Sequence, residues 1–73
     1  MLTLMERQLY GLLSIHLIGV DVTVHEGTTG DLHFAWMGGV VSIERSEVVA
    51  AGANIDEMGK NLELRLRRAA LAN

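Results

Sequence analysis

Two glycine-containing turns separate three stretches in which apolar and polar residues alternate. One turn spans Glu26–Asp31 and the other contains Gly38 and Gly39. Alternation with a period of two is typical of half-buried strands, and short glycine turns between such stretches are typical of β-hairpins. The sequence therefore predicts an antiparallel meander of three strands.

The two turns agree on which face of this sheet is buried. Pairing across the first turn places Val24 opposite Leu32, and a two-residue second turn places Trp36 opposite Val41. A slip of one residue would set the valines against His33 and Ala35, so a single buried face selects these registers. The first register also predicts a three-residue loop ending near Gly30, where a glycine suits positive φ. The predicted apolar face consists of Val20, Val22, Val24, Leu32, Phe34, Trp36, Val41 and Ile43.

The segment before the first hairpin has two interpretations. Thr3 and Glu6 match a capping box and Gly11 is a candidate stop, which predicts a short helix over about 4–10. Residues 12–26 then form a bent strand with a β-bulge at Ile18-Gly19, where the alternation changes phase. The alternative is a longer helix to Leu17, which gathers five apolar residues on one face: Met5, Leu9, Leu12, Leu13 and Leu17.

The C-terminal part of the chain predicts a long helix over residues 55–71. Asp56 and Glu57 lie in its first turn and three arginines lie late, as the helix dipole favours. A core-facing stripe is formed by Ile55, Met58, Leu62, Leu66, Ala69 and Ala70. Residues Val48–Ala51 are either a fourth short strand or a packed linker. The predicted fold class is α+β, an antiparallel three- or four-stranded β-meander with a short N-terminal helix and a long C-terminal helix packed on one face.

Size and composition favour self-association. The chain has 73 residues, so one domain is expected, and a domain this short buries only roughly 60% of its unfolded surface. Cysteine is absent, which excludes disulfides, yet 49% of the residues are hydrophobic. Leu64 and Leu71 lie outside the stripe of the last helix and share one of its sides. They are a candidate homodimer contact, and an apolar edge strand beginning at Leu12 is another.

The remaining candidate surface is the polar sheet face, the side of the predicted sheet opposite the apolar one. It carries Asp21, Thr23, His25, Asp31, His33, Ala35, Ser42 and Glu44. His25 is predicted to lie opposite Asp31 with His33 beside them, an arrangement that invites comparison with a zinc site, although a solvated polar face is the preferred interpretation. Ser42 near His33 lacks the enclosed pocket that nucleophilic catalysis requires. Catalytic residues, a metal and a cofactor are therefore not expected, and the partner-binding candidates on this face are Asp21, His25, Asp31, His33 and Glu44.

Charge and hydropathy limit the location and the partner. The net charge is −3, whereas nucleic-acid-binding domains normally carry a basic patch. No stretch approaches the ~20 apolar residues of a membrane span, and the N-terminus lacks the basic segment of a secretory signal. A cytoplasmic protein with a protein partner is expected, and neither nucleic acid nor a membrane is expected as a partner.

Local resemblances point to regulators and inhibitors. The run Gly52–Glu57, followed by Asn61, resembles the strand-to-helix passage of HicB-type antitoxins, which implies a dimerising β-β-β-α module. The α-β-β-β-α order resembles the double-stranded-RNA-binding fold, but Asp56 and Glu57 replace its basic cluster. In size and charge the chain is similar to phage-encoded inhibitors of host or defence complexes, anti-CRISPR proteins among them. The sequence thus predicts a non-catalytic protein–protein interaction module, homodimeric and acting as an inhibitor of a larger complex, with a small nucleic-acid-binding or antitoxin-like regulator as the alternative.

Overall fold

The computed structural model describes residues 1–72 and confirms an α+β architecture. A three-stranded antiparallel sheet of order β1-β2-β3 is covered on one face by two long helices. The elements in chain order are α1 Leu4–His16, β1 Thr23–Glu26, β2 Asp31–Trp36, β3 Gly39–Glu44, α2 Arg45–Ala51, a single 3₁₀ turn Gly52–Asn54, and α3 Ile55–Ala72. The three-stranded form of the predicted meander is therefore correct, and the four-stranded form is not.

Helix α1 is longer than the preferred prediction, and the bent strand over residues 12–26 is wrong. The capping box is present, since Thr3 Oγ1 accepts the Glu6 N–H at 3.2 Å and Glu6 Oε1 accepts the Thr3 N–H at 2.8 Å. The helix then continues through Gly11 to His16. Its i, i+4 spacing buries Leu9 and Leu13 in one row, which outweighs the ~1 kcal/mol cost of an interior glycine. Because residues 12–16 are helical, the predicted edge strand from Leu12 does not exist.

Both hairpin registers differ from prediction by two residues. Val24 lies opposite Phe34 rather than Leu32, and Phe34 in turn lies opposite Val41. A shift of two preserves the side on which each side chain points, so the buried face is the predicted one except at its first position. Val20 precedes β1 and is exposed, because the strand begins only at Thr23.

The turns explain these shifts. In the first, Gly27 N–H donates to the Asp31 carbonyl at 2.8 Å, so the three-residue loop consists of residues 28–30 and Glu26 pairs with Leu32 rather than with Gly30. The loop ends at Gly30 with φ +78°, as predicted. The second turn is centred on Met37 and Gly38, with φ +52° and +85°, the conformation of a type I′ turn. Gly39 instead begins β3 against α3, where a Cβ would lie 2.5 Å from the Ala70 nitrogen. Close packing therefore requires this glycine.

Residues 45–51 form helix α2 and not a fourth strand. Val48 packs into the core while Glu47 and Val49 are exposed. Ala50 is exposed too, whereas an alternating strand would bury it together with Val48. The Glu47 carboxylate accepts the Glu44 N–H at 3.1 Å and caps the start of the helix. The run Gly52–Glu57 is accordingly a helix-to-helix connection, and its resemblance to a strand-to-helix passage does not hold.

Helix α3 confirms the predicted C-terminal helix to within one residue. Leu62 and Leu66 are buried at the centre of its stripe. Gly59 faces α1, where a Cβ would lie 3.2 Å from Leu12 Cδ1, so α1 and α3 approach each other closely. Together the helices and the sheet enclose a core of Leu9, Leu13, Leu17, Val22, Leu32, Phe34, Val41, Ile43, Val48, Leu62 and Leu66.

Candidate interaction surfaces

A network of charged groups closes the side of the domain where α1, β1 and α2 meet. Glu6 is 2% exposed, and Arg45 donates to both of its carboxylate oxygens at 2.9 and 2.7 Å. Arg45 also donates to Glu26 at 2.7 Å, and the Met1 ammonium binds the same carboxylate at 2.6 Å. The hydrogen bonds from Arg45 lower the pKa of Glu6, and those from the Met1 ammonium and Arg45 lower the pKa of Glu26. This closing network ties three elements together and is structural.

The polar sheet face brings together four of its five predicted binding residues. His25 lies opposite His33, not opposite Asp31, as a consequence of the shifted register. Asp31 lies opposite Glu44 of β3, the strand that flanks β2 on the side away from β1. Asp21 precedes β1 and lies outside the sheet. His25, Asp31, His33 and Glu44 therefore share the polar sheet face, in an arrangement that differs from the predicted one.

His33 connects two neighbours on this face. Its Nε2 lies 3.0 Å from Asp31 Oδ2 and its Nδ1 lies 2.6 Å from Ser42 Oγ. With a proton on Nε2 the ring donates to Asp31 and accepts from the Ser42 hydroxyl. Asp31, His33 and Ser42 are the residue types of a catalytic triad. They lie on an open sheet face, however, without the enclosure that such chemistry needs. Within residues 1–72, no group of three or more His, Asp or Glu side chains is placed to hold a metal ion.

A second surface is the helical face, defined as the solvent side of α1 and α3 with Leu4, Ile15, Leu64 and Leu71. On α1, Leu4 and Ile15 are 74% and 71% exposed and point away from Leu9 and Leu13. On α3, Leu64 is 49% and Leu71 is 88% exposed. The structure thus exposes both leucines singled out from sequence and adds α1 to their surface. The signal for Ile15 was its position outside the stripe of the longer helix.

The helical face continues into a groove at the β2–β3 turn. Trp36, Met37, Arg67, Ala70 and Leu71 line it. Arg67 lies over the Trp36 ring, 5.6 Å from its centroid, and donates to the His16 carbonyl at 3.0 Å. Trp36 Nε1 is buried and has no hydrogen-bond partner within the described part of the chain. Sequence reasoning missed this groove because Trp36 was assigned to the core and Met37 to a strand end.

A third surface runs beside β3, and we refer to it as the β3 groove. Strand β3, α2 and α3 border it. The residues lining its two adjoining parts are Thr29, Asp31, Ser42, Ile43, Glu44, Glu47, Ala51, Asn54, Glu57, Met58, Asn61, Leu62 and Arg65. The groove was not predicted, because residues 48–51 were expected to form a strand or a packed linker and not the helix that borders it.

The helices and the comparisons add two findings. No helix in residues 1–72 has the length and apolar character needed to cross a membrane. The chain matches no protein-family model, no curated protein and no solved structure.

Proposed function

We propose that this chain is a cytoplasmic, non-catalytic protein-binding module that forms a homodimer through its helical face. The observation that carries the proposal is the exposure of four large apolar side chains, Leu4, Ile15, Leu64 and Leu71, on adjacent helices of a domain whose core is already filled. Large apolar side chains left exposed on the solvent side of two helices are candidates for an interaction site. A small domain also gains stability when such surface is buried against a partner.

A second copy is the occupant that we favour for the helical face. In a two-fold contact the same patch meets itself, so Leu64 and Leu71 of one protomer would pack against equivalent apolar side chains. Burial at roughly 25 cal/mol per Å² makes each fully covered leucine worth about 2 kcal/mol. Dimerisation would leave the opposite side of the molecule, with the polar sheet face, free for a different protein.

The proposed role of that free side is inhibition of a larger complex. His33, Asp31 and Glu44 present an acidic and hydrogen-bonding surface, which complements a basic surface on a target. The alternative of a nucleic-acid-binding or antitoxin-like regulator has less support, because Arg67 is already engaged by Glu63 and the His16 carbonyl. Nucleic-acid binding would reveal itself by an affinity that falls steeply with salt.

Solution mass tests the dimer. Size-exclusion chromatography with light scattering is applied to the wild type and to a double variant, Leu64→Asp with Leu71→Asp. The matched control is Val49→Asp, since Val49 is exposed on α2 and lies outside the helical face. We expect a wild-type dimer, a folded monomer for the double variant and a dimer for the control. A monomeric wild type, or a double variant that stays dimeric, contradicts the proposal.

A further inference from the structure

Strand β3 has an unpaired outer edge whose backbone groups can be assigned. Arg45 N–H donates to the Gly30 carbonyl at 3.0 Å, which identifies this pair as a hydrogen-bonded one. Hydrogen-bonded and non-hydrogen-bonded pairs alternate along an antiparallel ladder. Val40, Ser42 and Glu44 therefore direct their N–H and C=O groups away from β2. The Glu44 N–H confirms the assignment, because it turns outward to Glu47.

Two residues of this edge remain available to a new strand. The Glu44 amide is occupied by Glu47, but within residues 1–72 Val40 and Ser42 make no backbone hydrogen bond beyond β2. Both are exposed, and Val40 is 60% exposed although it is apolar. Their spacing of two residues is the spacing at which an extended chain presents its own inward-facing amides. An unpaired edge of this kind is a template for strand addition.

The β3 groove beside this edge has an apolar floor and acidic walls. Ile43, Met58 and Leu62 contribute apolar surface between β3 and α3. Glu47 and Glu57 border the same space, and two further carboxylates, of Asp31 and Glu44, border its continuation towards the polar sheet face. Arg65 is the only basic side chain among the described residues that line it, and within residues 1–72 it forms no ion pair.

We propose that β3 binds an extended, basic segment of a partner protein, which adds to the sheet as a fourth strand. Side chains of an added strand alternate between the two sheet faces. Those on the helix side would meet Ile43, Met58 and Leu62, so they should be apolar, and those on the other side would meet Asp31 and Glu44, so they should be Lys or Arg. The inference deepens the proposed protein-binding function but uses a surface separate from the helical face.

Charge distinguishes this occupant from a second copy of the chain. Pairing β3 with another β3 would bring two sets of the same carboxylates together, with only Arg65 from each copy to offset them. Like charges at close range oppose association. A Lys- or Arg-bearing segment instead places opposite charges next to Asp31 and Glu44, and the carboxylates of Glu47 and Glu57 across the groove add to the same attraction. The same acids therefore disfavour self-pairing and favour the basic partner.

A peptide of alternating Lys and Val, labelled with a fluorophore, is the probe. Anisotropy at low salt gives its affinity. One control peptide carries Glu in place of Lys, and two others carry N-methyl groups on alternate amides, one peptide for each phase. Amide NMR spectra locate the binding. We expect the Lys–Val peptide to bind and to shift Val40, Ser42 and Ile43, the Glu–Val peptide not to bind, and one of the two N-methylation phases to abolish binding. Equal binding of both N-methylated phases, or shifts confined to other surfaces, would overturn strand addition.

Adjacent acids on α3 provide a matched pair of variants. Glu57 lines the β3 groove, whereas Asp56 faces the crevice between α1 and α3 with Leu12 and Lys60. Both lie in the first turn, so reversal of either charge affects the helix dipole alike. Glu57→Lys should weaken the Lys–Val peptide by about fivefold, and Asp56→Lys should leave it unchanged. Equal effects would reduce the binding to general charge attraction and overturn the assigned site.

Failure of this inference is separable from failure of the proposed dimer. The Leu64→Asp, Leu71→Asp double variant should bind the peptide as the wild type does, because neither residue lines the β3 groove. A dimer that binds no peptide retains the proposed function and rejects the β3 site. A monomer that binds the peptide rejects the proposed dimer and retains the β3 site.

Discussion

The two edges of the sheet are treated differently. At the β1 edge, the Tyr10 hydroxyl donates to the Val22 carbonyl at 3.0 Å, and the closing network holds Glu26. At the β3 edge, only the last outward amide, that of Glu44, is occupied by a side chain. One edge is thus covered at its two ends by side chains from α1 and α2, and the other is left open between carboxylates. Coverage and charge are both known protections against unwanted strand pairing, but only charge leaves an edge that a chosen partner can use.

The largest effect is expected from a substitution that disrupts the closing network at the covered edge. Arg45→Leu removes the cation that bonds both Glu6 and Glu26, and it leaves the Glu6 carboxylate buried without its partner. Leaving a buried carboxylate without its cation is strongly destabilising, so we expect Tm to fall by more than about 15 °C. Thermal melts followed by circular dichroism measure this. Arg68→Leu, on the exposed side of α3, is the control, and equal melting of the two variants would contradict the role of the network.

A smaller effect concerns the packing that positions the open edge. Gly39→Ala would place a Cβ 2.6 Å from the Ala69 carbonyl carbon, so β3 must move away from α3 at a cost of about 2 kcal/mol. Gly11→Ala is the matched control, because nothing lies within 4 Å of its Cβ position and alanine favours helix by up to about 1 kcal/mol. Urea unfolding should therefore show changes of opposite sign. Stabilisation by both substitutions would show that β3 is not held tightly against α3.

Removal of one hydroxyl tests the cover on β1 alone. Tyr10→Phe keeps the ring in the core but leaves the Val22 carbonyl without its donor, which should cost about 1 kcal/mol in unfolding free energy. Thr29→Val removes an exposed hydrogen bond to Asp31 in the first turn and should change stability much less. The same urea experiment compares them. If the two variants unfold alike, Tyr10 does not protect the edge.

The smallest expected effect is a pH dependence at the covered edge. The pKa of Glu26 is lowered in the folded state by the Met1 ammonium and Arg45, so its contribution is present above the ordinary value of 4.5 and is lost as pH falls below it. Because Glu26 is solvent-exposed, screening keeps this contribution small. Melts of wild type and Glu26→Gln should differ at neutral pH and converge in acid. A difference that grows in acid would reverse the assigned sign.

The sequence predicted faces better than registers. A two-residue shift leaves every strand side chain on the same face, so Leu32, Phe34 and Ile43 were assigned to the core correctly despite wrong partners. The shift of the second hairpin follows from Met37, which adopts a positive φ that methionine rarely occupies and that no local pattern indicates. Gly39 was taken for a turn residue, whereas its requirement comes from α3, far away in sequence.

The N-terminal helix was harder to predict, because its residues fit both the strand period and the helical period. Residues 13–17 alternate as a strand does, yet they also fit a helical stripe, and burial of Leu13 and Leu17 against the rest of the core decides for the helix. Leu64 and Leu71 were identified because helix α3 had an unambiguous stripe from which they departed. The β3 groove was beyond reach, because it depends on α2 and on the separation of β3 from α3, neither of which a local pattern encodes.

The close approach of Leu12 to Gly59 has a consequence for how the chain acquires its structure during synthesis. The first helix emerges early, but the glycine against which it packs belongs to the last helix. Until that helix is made, the leucine row of α1 and the inner face of the sheet have no complete cover. We therefore expect folding to be a late, all-or-none event, with nascent chains that end before α3 depending on chaperones or degraded.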